Sequence, residues 1–299
     1  MPPRVAVELL ACMTLWGGSW IAGRVVGETM PALPAAFLRY VIASVALVTM
    51  VRVRRGHLPR VPRALIGRVV FLGATGILGY STFFFEGLRH IPAARAALIV
   101  ACTPVAIGIT SSILERERVG PLRVFGTLLA LIGVSVVIAD GDPRRVLAEG
   151  FGWGDLMILG CVVSWTSYTI GGRKVMAALG PLPSVMWSSI AGTILMLPLS
   201  LVFGLHRALG LARGVDWIAL AFLGVLATAV AYLWYYRGIA AIGAARAGIF
   251  INTVPVFTAL MGWAFLGETV GLPVLVGGVL VIAGVVMTSR GGRSSRVSR

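Results

Sequence analysis

The side chains best suited to contact a solute in this chain are aromatic. Trp16 and Trp20 stand one helical turn apart, Trp165 and Tyr168 share a helical face, and so do Tyr80, Phe83 and Phe84. Tyr232 is the polar aromatic deepest in its apolar stretch. In lipid, Trp and Tyr collect at the interfaces, and Trp153, Trp187, Trp217, Tyr235 and Tyr236 fall near stretch ends where that is expected. Trp16 does not, because it lies about 11 residues, or ~16 Å, into its stretch. An indole at that depth needs a partner for its N–H, either protein or water in a cavity. Two readings stay open: the rings line a central cavity, or they pack helices together. Asn252, with Thr253 and Thr103, supplies the amide and hydroxyls that would hold a polar group, an interhelical hydrogen bond being the alternative.

Other chemistry is poorly served. His57, His90 and His206 fall in turns or at stretch ends, and no stretch interior carries a pair of carboxylates. Proteolysis, metal chemistry and phosphoryl transfer therefore lack a constellation, and neither an enzyme nor a cofactor or metal is expected. The same lack of buried acids predicts weak coupling to a proton gradient. Glu86 is the exception, with pairing to Arg89 or a place at the lipid interface as its alternative. Arg39, Arg95 and Arg246 are the remaining candidate charge contacts, two of them at stretch ends. An aromatic cavity without fixed charge suits a neutral, zwitterionic or amphiphilic solute and suits a phosphate ester poorly. Cys12, Cys102 and Cys161 share no spacing motif and read as apolar packing residues.

The elements that would position these residues are membrane helices. The chain is 58% hydrophobic and 12% charged, against about 25% charged for a soluble domain. Apolar runs of about 20 residues, enough to cross ~30 Å of hydrocarbon, cover 5–25, 32–51, 66–88, 93–114, 121–139, 152–172, 183–204, 216–237, 244–266 and 272–289. Arg, Pro and Gly clusters separate them, as at 52–63, 141–145, 180–183 and 207–213. The fold expected is an all-α integral membrane protein of ten transmembrane helices, since helices satisfy their own backbone in lipid. Most of the 26 Lys and Arg fall in alternate turns and at the two ends, Arg4 and Arg290 to Arg299 included. That bias puts both termini in the cytoplasm and requires an even number of spans. The net charge of +15 then reads as a topology signal and a contact for anionic lipid, not for nucleic acid. Arginine is used almost to the exclusion of lysine, as in a GC-rich bacterial genome. Met1 to Arg4 lead straight into a full-length span, and no removable signal peptide is expected.

The chain also repeats itself. A shift of 151 positions carries Gly87 onto Gly238, Ile91 and Ala93 to Ala96 onto Ile242 and Ala244 to Ala247, Pro104 onto Pro255, Glu117 onto Glu268, and Gly126 and Gly133 onto Gly277 and Gly284. A shift of 149 carries Trp16 onto Trp165, Gly23-Arg24 onto Gly172-Arg173 and Pro34 onto Pro183. Two five-helix repeats are expected, over 1–140 and 141–299. An odd number of helices per repeat forces the second copy to enter the membrane inverted, with substrate held near the midplane between the halves. Mid-helix Pro104 and Pro255 are expected to kink their helices, as gating hinges or as plain kinks. The glycine pairs let helices approach closely, within one chain or across a homodimer, and a monomer is expected.

These residues carry a resemblance. The five-plus-five duplication, the block from Gly87 through Ile91-Pro92-Ala93-Ala94-Arg95-Ala96-Ala97 to Thr103-Pro104, its copy ending at Pro255, and Gly267-Glu268 resemble the EamA branch of the drug/metabolite transporter superfamily, over about residues 5 to 290. Within it the chain is similar to amino acid exporters of the YddG type. One departure is Arg116 before Glu117, where the second copy has Gly267 before Glu268. The resemblance implies an inner-membrane carrier that moves amino acids or similar metabolites outward by alternating access. Its alternatives are export of drug-like or nucleobase compounds on the same fold, and a non-transporting scaffold or sensor.

Overall fold

The computed structural model describes residues 3–115, 121–138, 152–242, 250–251, 253–267 and 271–291. Arg246 and Asn252 lie outside the described residues, as do the 141–145 turn, the tail beyond Gly291 and the side chain of Pro104. Every regular element described is helical. In chain order these are α1 (Pro3–Gly27), α2 (Ala32–Arg55), α3 (Arg63–Leu88), α4 (Ala93–Val100), α5 (Thr103–Glu115), α6 (Pro121–Ile138), α7 (Trp153–Leu179), α8 (Pro181–Val202) and α9 (Leu205–Leu211). Then come α10, running without a break through Gly214–Ala221, Phe222–Val230 and Ala231–Ile242, α11 (Val254–Leu266) and α12 (Leu272–Gly291). Among the described residues five helices are long and apolar enough to cross a membrane: α1, α2, α3, α8 and the Gly214–Tyr235 part of α10.

Helix ends follow backbone chemistry more than charge. The stretch expected to stop at 172 continues as α7 to Leu179, because Arg173 and Lys174 are good helix formers. It stops at Gly180, whose φ of 81° closes the turn with an N–H bond to Met176 O, and Pro181 opens α8. The two prolines expected to bend helices instead restart them. The stretch over 93–114 is two helices, α4 and α5, parted by a turn at 101–102, with Pro104 the second residue of α5. Pro255 is likewise the second residue of α11, after a turn at Thr253. The missing proline N–H is harmless in a first turn, so a break is the cheaper solution. Hydroxyls cover the carbonyls left at the breaks: Thr103 Oγ1 donates to Val100 O (2.6 Å) and Thr253 Oγ1 to Phe250 O (2.7 Å).

Two helices widen in the middle. Gly73–Gly79 in α3 and Phe222–Val230 in α10 are π-helical, and the 151-position shift carries the first onto 224–230. The N–H of Tyr80 reaches Thr75 O and that of Ala231 reaches Leu226 O, five residues back. The carbonyls four back, Gly76 O and Ala227 O, are passed over at matching positions. Thr228 Oγ1 follows the same wide turn to Leu223 O. Such bulges recur at functional sites.

Packing pairs elements from opposite halves of the chain. α2 and α8 run antiparallel: Ser44 Oγ and Thr193 Oγ1, which the 149-position shift matches, lie 3.2 Å apart, and Ser200 Oγ donates to Leu33 O. α6 and α12 also run antiparallel, with their backbones in contact. A Cβ at Gly133 would sit 2.6 Å from Gly277 O, and one at Gly284 would sit 2.5 Å from Gly126 O and from Ala130 N. The paired glycines are thus used inside one chain. α1 packs on α10 and α11, and α7 on α3 and α5. Gly73 meets Gly192 of α8, while Gly224 meets the Arg39 backbone and Ile42 of α2.

Candidate aromatic site

The π segment of α10 explains how a deep indole is accommodated. Because Ala231 N–H reaches past Ala227 O, that carbonyl is available to the Trp16 indole, and Nε1–H donates to it at 3.1 Å. The Trp16 ring then meets Tyr232 at 5.8 Å and Tyr235 at 5.2 Å between centroids. From Tyr232 the contacts continue to Trp165 (6.4 Å) and from there to Tyr168 (5.4 Å) and Tyr80 (5.4 Å). Tyr80 stacks on Phe84 (6.2 Å), and Phe84 meets Trp20 at 4.9 Å. Trp16 and Trp20 are both on α1, so the circuit closes: α1, α10, α7, α3 and back to α1. Offset and edge-on pairs of this kind are the favoured aromatic geometries.

Burial divides the circuit. Trp20, Phe84 and Tyr168 are buried, and the Tyr168 hydroxyl lies 3.2 Å from Ser188 Oγ. Trp16, Tyr80, Trp165 and Tyr232 are only half-buried despite their contacts with other helices. Glycine brings the walls together: the Tyr168 ring lies against Gly76, and Phe83 lies on Gly160 of α7. Thr103 is buried at the α4–α5 break with its hydroxyl committed to Val100 O.

The charged candidates separate clearly. Arg95 donates from Nε and Nη2 to both oxygens of buried Asp155, at 2.9 and 2.8 Å, a bidentate tie between α4 and α7. Glu86 is partly exposed and pairs with Arg89 (3.4 Å) and His90 (3.1 Å) on its own helix end. Arg39 is buried beside the circuit, its guanidinium 5.2 Å from the Tyr40 centroid and 5.5 Å from that of Phe84. Among the described residues no group of three His, Cys, Asp or Glu is arranged to hold a metal.

Sequence reading missed three members of this neighbourhood. Tyr235, expected at the interface, lies against Trp16. It follows Tyr232 by three residues, and that helical spacing was the available signal. Tyr40 is buried next to Arg39, and Cys161 Sγ approaches Tyr80 O at 3.5 Å. Trp153 and Trp217 are exposed, whereas Trp187 donates to Pro59 O. Two cavities lie apart from the rings. One of about 660 Å³ runs along α2 from Val41 to Arg54 beside Val225 and Ala229; the other, of about 620 Å³, lies between Leu58–Val70 and α8.

Comparison with known proteins agrees with this architecture. The model of the EamA-like transporter family matches the chain twice, at residues 5–139 and 152–290. A Bacillus subtilis (strain 168) protein named uncharacterized transporter YyaM is 29% identical over 286 residues, covering 95% of this chain and 93% of that one. A Streptantibioticus cattleyicolor protein named as a probable terminal-alkyne amino-acid exporter is 26% identical over 286 residues, covering 94% and 92%. A solved crystal structure with 21% sequence identity superposes with a TM-score of 0.68 over 98% of this chain and 100% of its own, a likeness of fold.

Proposed function

The chain belongs to the EamA-like transporter family, and on that premise we propose that it exports amino acids or similar small metabolites by alternating access through the aromatic circuit. It is a multi-pass membrane transporter and not an enzyme; its partners are a small-molecule substrate and the lipid bilayer. The observation that carries the reading is the circuit itself. Its rings come from α1 and α3 of one half and α7 and α10 of the other, and the four half-buried ones keep a face available to a solute. Aromatic faces and hydroxyls suit amino acids with apolar side chains, and the relative named as an amino-acid exporter is consistent with that class.

Ten spans in two inverted repeats, divided near residue 140, are the architecture we infer. Support comes from the double family match, the π segments at shift-related positions, and shift-related helices packed antiparallel. The contact of Ser44 with its own counterpart Thr193 is what an axis between the halves would produce. Exchange of conformation between two such halves opens the centre to one side and then the other. The breaks before Pro104 and Pro255 would serve as hinges. We further read the protein as a monomer in a bacterial inner membrane, both termini cytoplasmic and the basic turns against anionic lipid.

The test is counterflow in liposomes. Purified protein is sealed with a high internal concentration of each of twenty amino acids in turn, and entry of the labelled solute is followed. Transient accumulation of one class is expected. Accumulation of nucleobases or drug-like cations instead would replace the substrate class, and no movement of any solute would remove the transport reading for these compounds.

A further inference from the structure

Arg39 is a buried charge that the packing leaves unanswered. It is the eighth residue of α2, 8% exposed, well inside a helix long enough to span a membrane. Its Nε and Nη1 are cut off from solvent and have no hydrogen-bond partner among the described residues. These nitrogens belong to the two different edges through which a guanidinium makes paired bonds, so each edge keeps a free donor. Other arginines are satisfied: Arg95 by Asp155, Arg213 by Asp216, Arg237 by Glu8 and Arg24 by Ile91 O. No carboxylate pairs with Arg39 among the described residues. The Tyr80 hydroxyl and the Cys161 thiol lie within reach of its charge and neither is a carboxylate. The ring faces of Tyr40 and Phe84 offset part of the cost of burying it, but a buried charge without a counter-charge is unfavourable.

We propose that the missing counter-ion is the solute: Arg39 binds the carboxylate of the transported molecule, whose remainder lies against Phe84 and Tyr80. Intramembrane ionisable groups that face a bundle interior mark solute paths, and arginine is the side chain whose planar fork matches a carboxylate. The 149-position shift matches Arg39 with Ser188, a neutral hydroxyl already bonded by Tyr168. The charge is therefore not duplicated in the second half, and a carboxylate is held on the α2 side. This rests on the transport reading for the presence of a solute among the rings. It narrows that reading by excluding solutes that are only cationic.

The experiment compares L-phenylalanine with its carboxamide, which keeps the ring and amine and loses the anion. Counterflow in liposomes and melting temperature in detergent are measured for wild type, Arg39→Gln and Arg39→Lys. In wild type the carboxylate exchanges about tenfold faster than the amide or better, the size expected for a charged hydrogen bond. Arg39→Gln brings that ratio close to one, and Arg39→Lys keeps part of the preference. Without solute, Arg39→Gln melts above wild type, because an unpaired buried charge has gone; a purely structural arginine would give the opposite sign. Millimolar L-phenylalanine raises the wild-type melting temperature and leaves that of Arg39→Gln unchanged. If wild type exchanges both probes equally, or Arg39→Gln keeps the preference, the Arg39 assignment is wrong while transport stands. Arg39-dependent stabilisation by the carboxylate without exchange means the site stands and the transport reading falls. Neither exchange nor carboxylate-specific stabilisation overturns both. Should the Arg39 variants not fold, the wild-type comparison of the two probes decides alone.

Discussion

Removing either partner of the Arg95–Asp155 pair should loosen the seam between α4 and α7, and the structure sets the size of the effect. Asp155 is 1% exposed and both its oxygens are held by Arg95, whose side chain is 24% exposed. Breaking a buried pair by deleting one partner costs about 3–5 kcal/mol, because a charge is left stranded. Arg95→Met strands the buried carboxylate, so a loss of about 3–4 kcal/mol is expected. Asp155→Ala leaves an arginine that can turn towards water, so about 2–3 kcal/mol is expected. The double variant strands nothing, and its loss should fall below the sum of the singles by at least about 2 kcal/mol. At about 2–4 °C per kcal/mol, the value for domains of 150–250 residues, the melting temperature should fall by about 6–16 °C for Arg95→Met and about 4–12 °C for Asp155→Ala. Melting followed by size-exclusion of the detergent-solubilised protein measures this, and raised salt should change it little since the pair is largely shielded. Additive single losses, with coupling below about 0.5 kcal/mol, would mean that Arg95 and Asp155 do not act as a pair.

Trp16→Ala, Tyr80→Ala, Trp165→Ala and Tyr232→Ala should reduce counterflow while leaving folded yield largely intact; equal losses of yield with unchanged transport per folded molecule would make these rings packing residues. Gly284→Leu and Gly133→Leu should each abolish folded yield, because a side chain there meets the partner backbone and overpacking of this kind costs at least about 1–3 kcal/mol; normal yield from either would contradict the antiparallel α6–α12 contact. The sequence leads one to expect no buried acid, whereas Asp155 and Asp216 are buried; transport should still proceed without an imposed pH difference, because both of these acids, buried among the described residues, are held by arginines. Concentrative uptake driven by a pH step and lost in Glu86→Gln would contradict this. Reporter fusions in the Arg52–Arg63 turn and at Arg299 should be active only with cytoplasmic markers, and a periplasmic signal from either would overturn the inferred topology.

Much of the helical layout was legible because apolar length is a sequence property: α1, α2, α3, α6 and α8 lie within a few residues of where apolar runs, prolines and glycines put them. The breaks at 101–102 and before Val254 were legible as proline positions but not as breaks, since a kink and a restart use the same residue. The π segments left no signal, because a helix one residue wider per turn keeps an almost unbroken apolar run; only the tertiary need of Trp16 for Ala227 O makes sense of one of them. The ring candidates on four helices were recognisable from spacing and depth, yet their closure into a circuit depends on which helices touch. Arg95 and Asp155 are 60 residues apart, and nothing local joins them. Arg39 looked like one candidate charge among several, and its lack of a partner among the described residues emerges only when Arg95 and Glu86 are seen to be paired.

If a solute passes through the aromatic circuit from one side of the membrane to the other, Tyr232 must become accessible from both sides. Cys12, Cys102 and Cys161, all buried free thiols, are replaced by alanine, and Tyr232→Cys is introduced as the single reporter. A membrane-impermeant maleimide is applied from either face of oriented vesicles. Labelling is expected from both faces, slowed by whichever amino acid the wild-type protein exchanges. Labelling from neither face, or labelling that the exchanged solute does not slow, would contradict it.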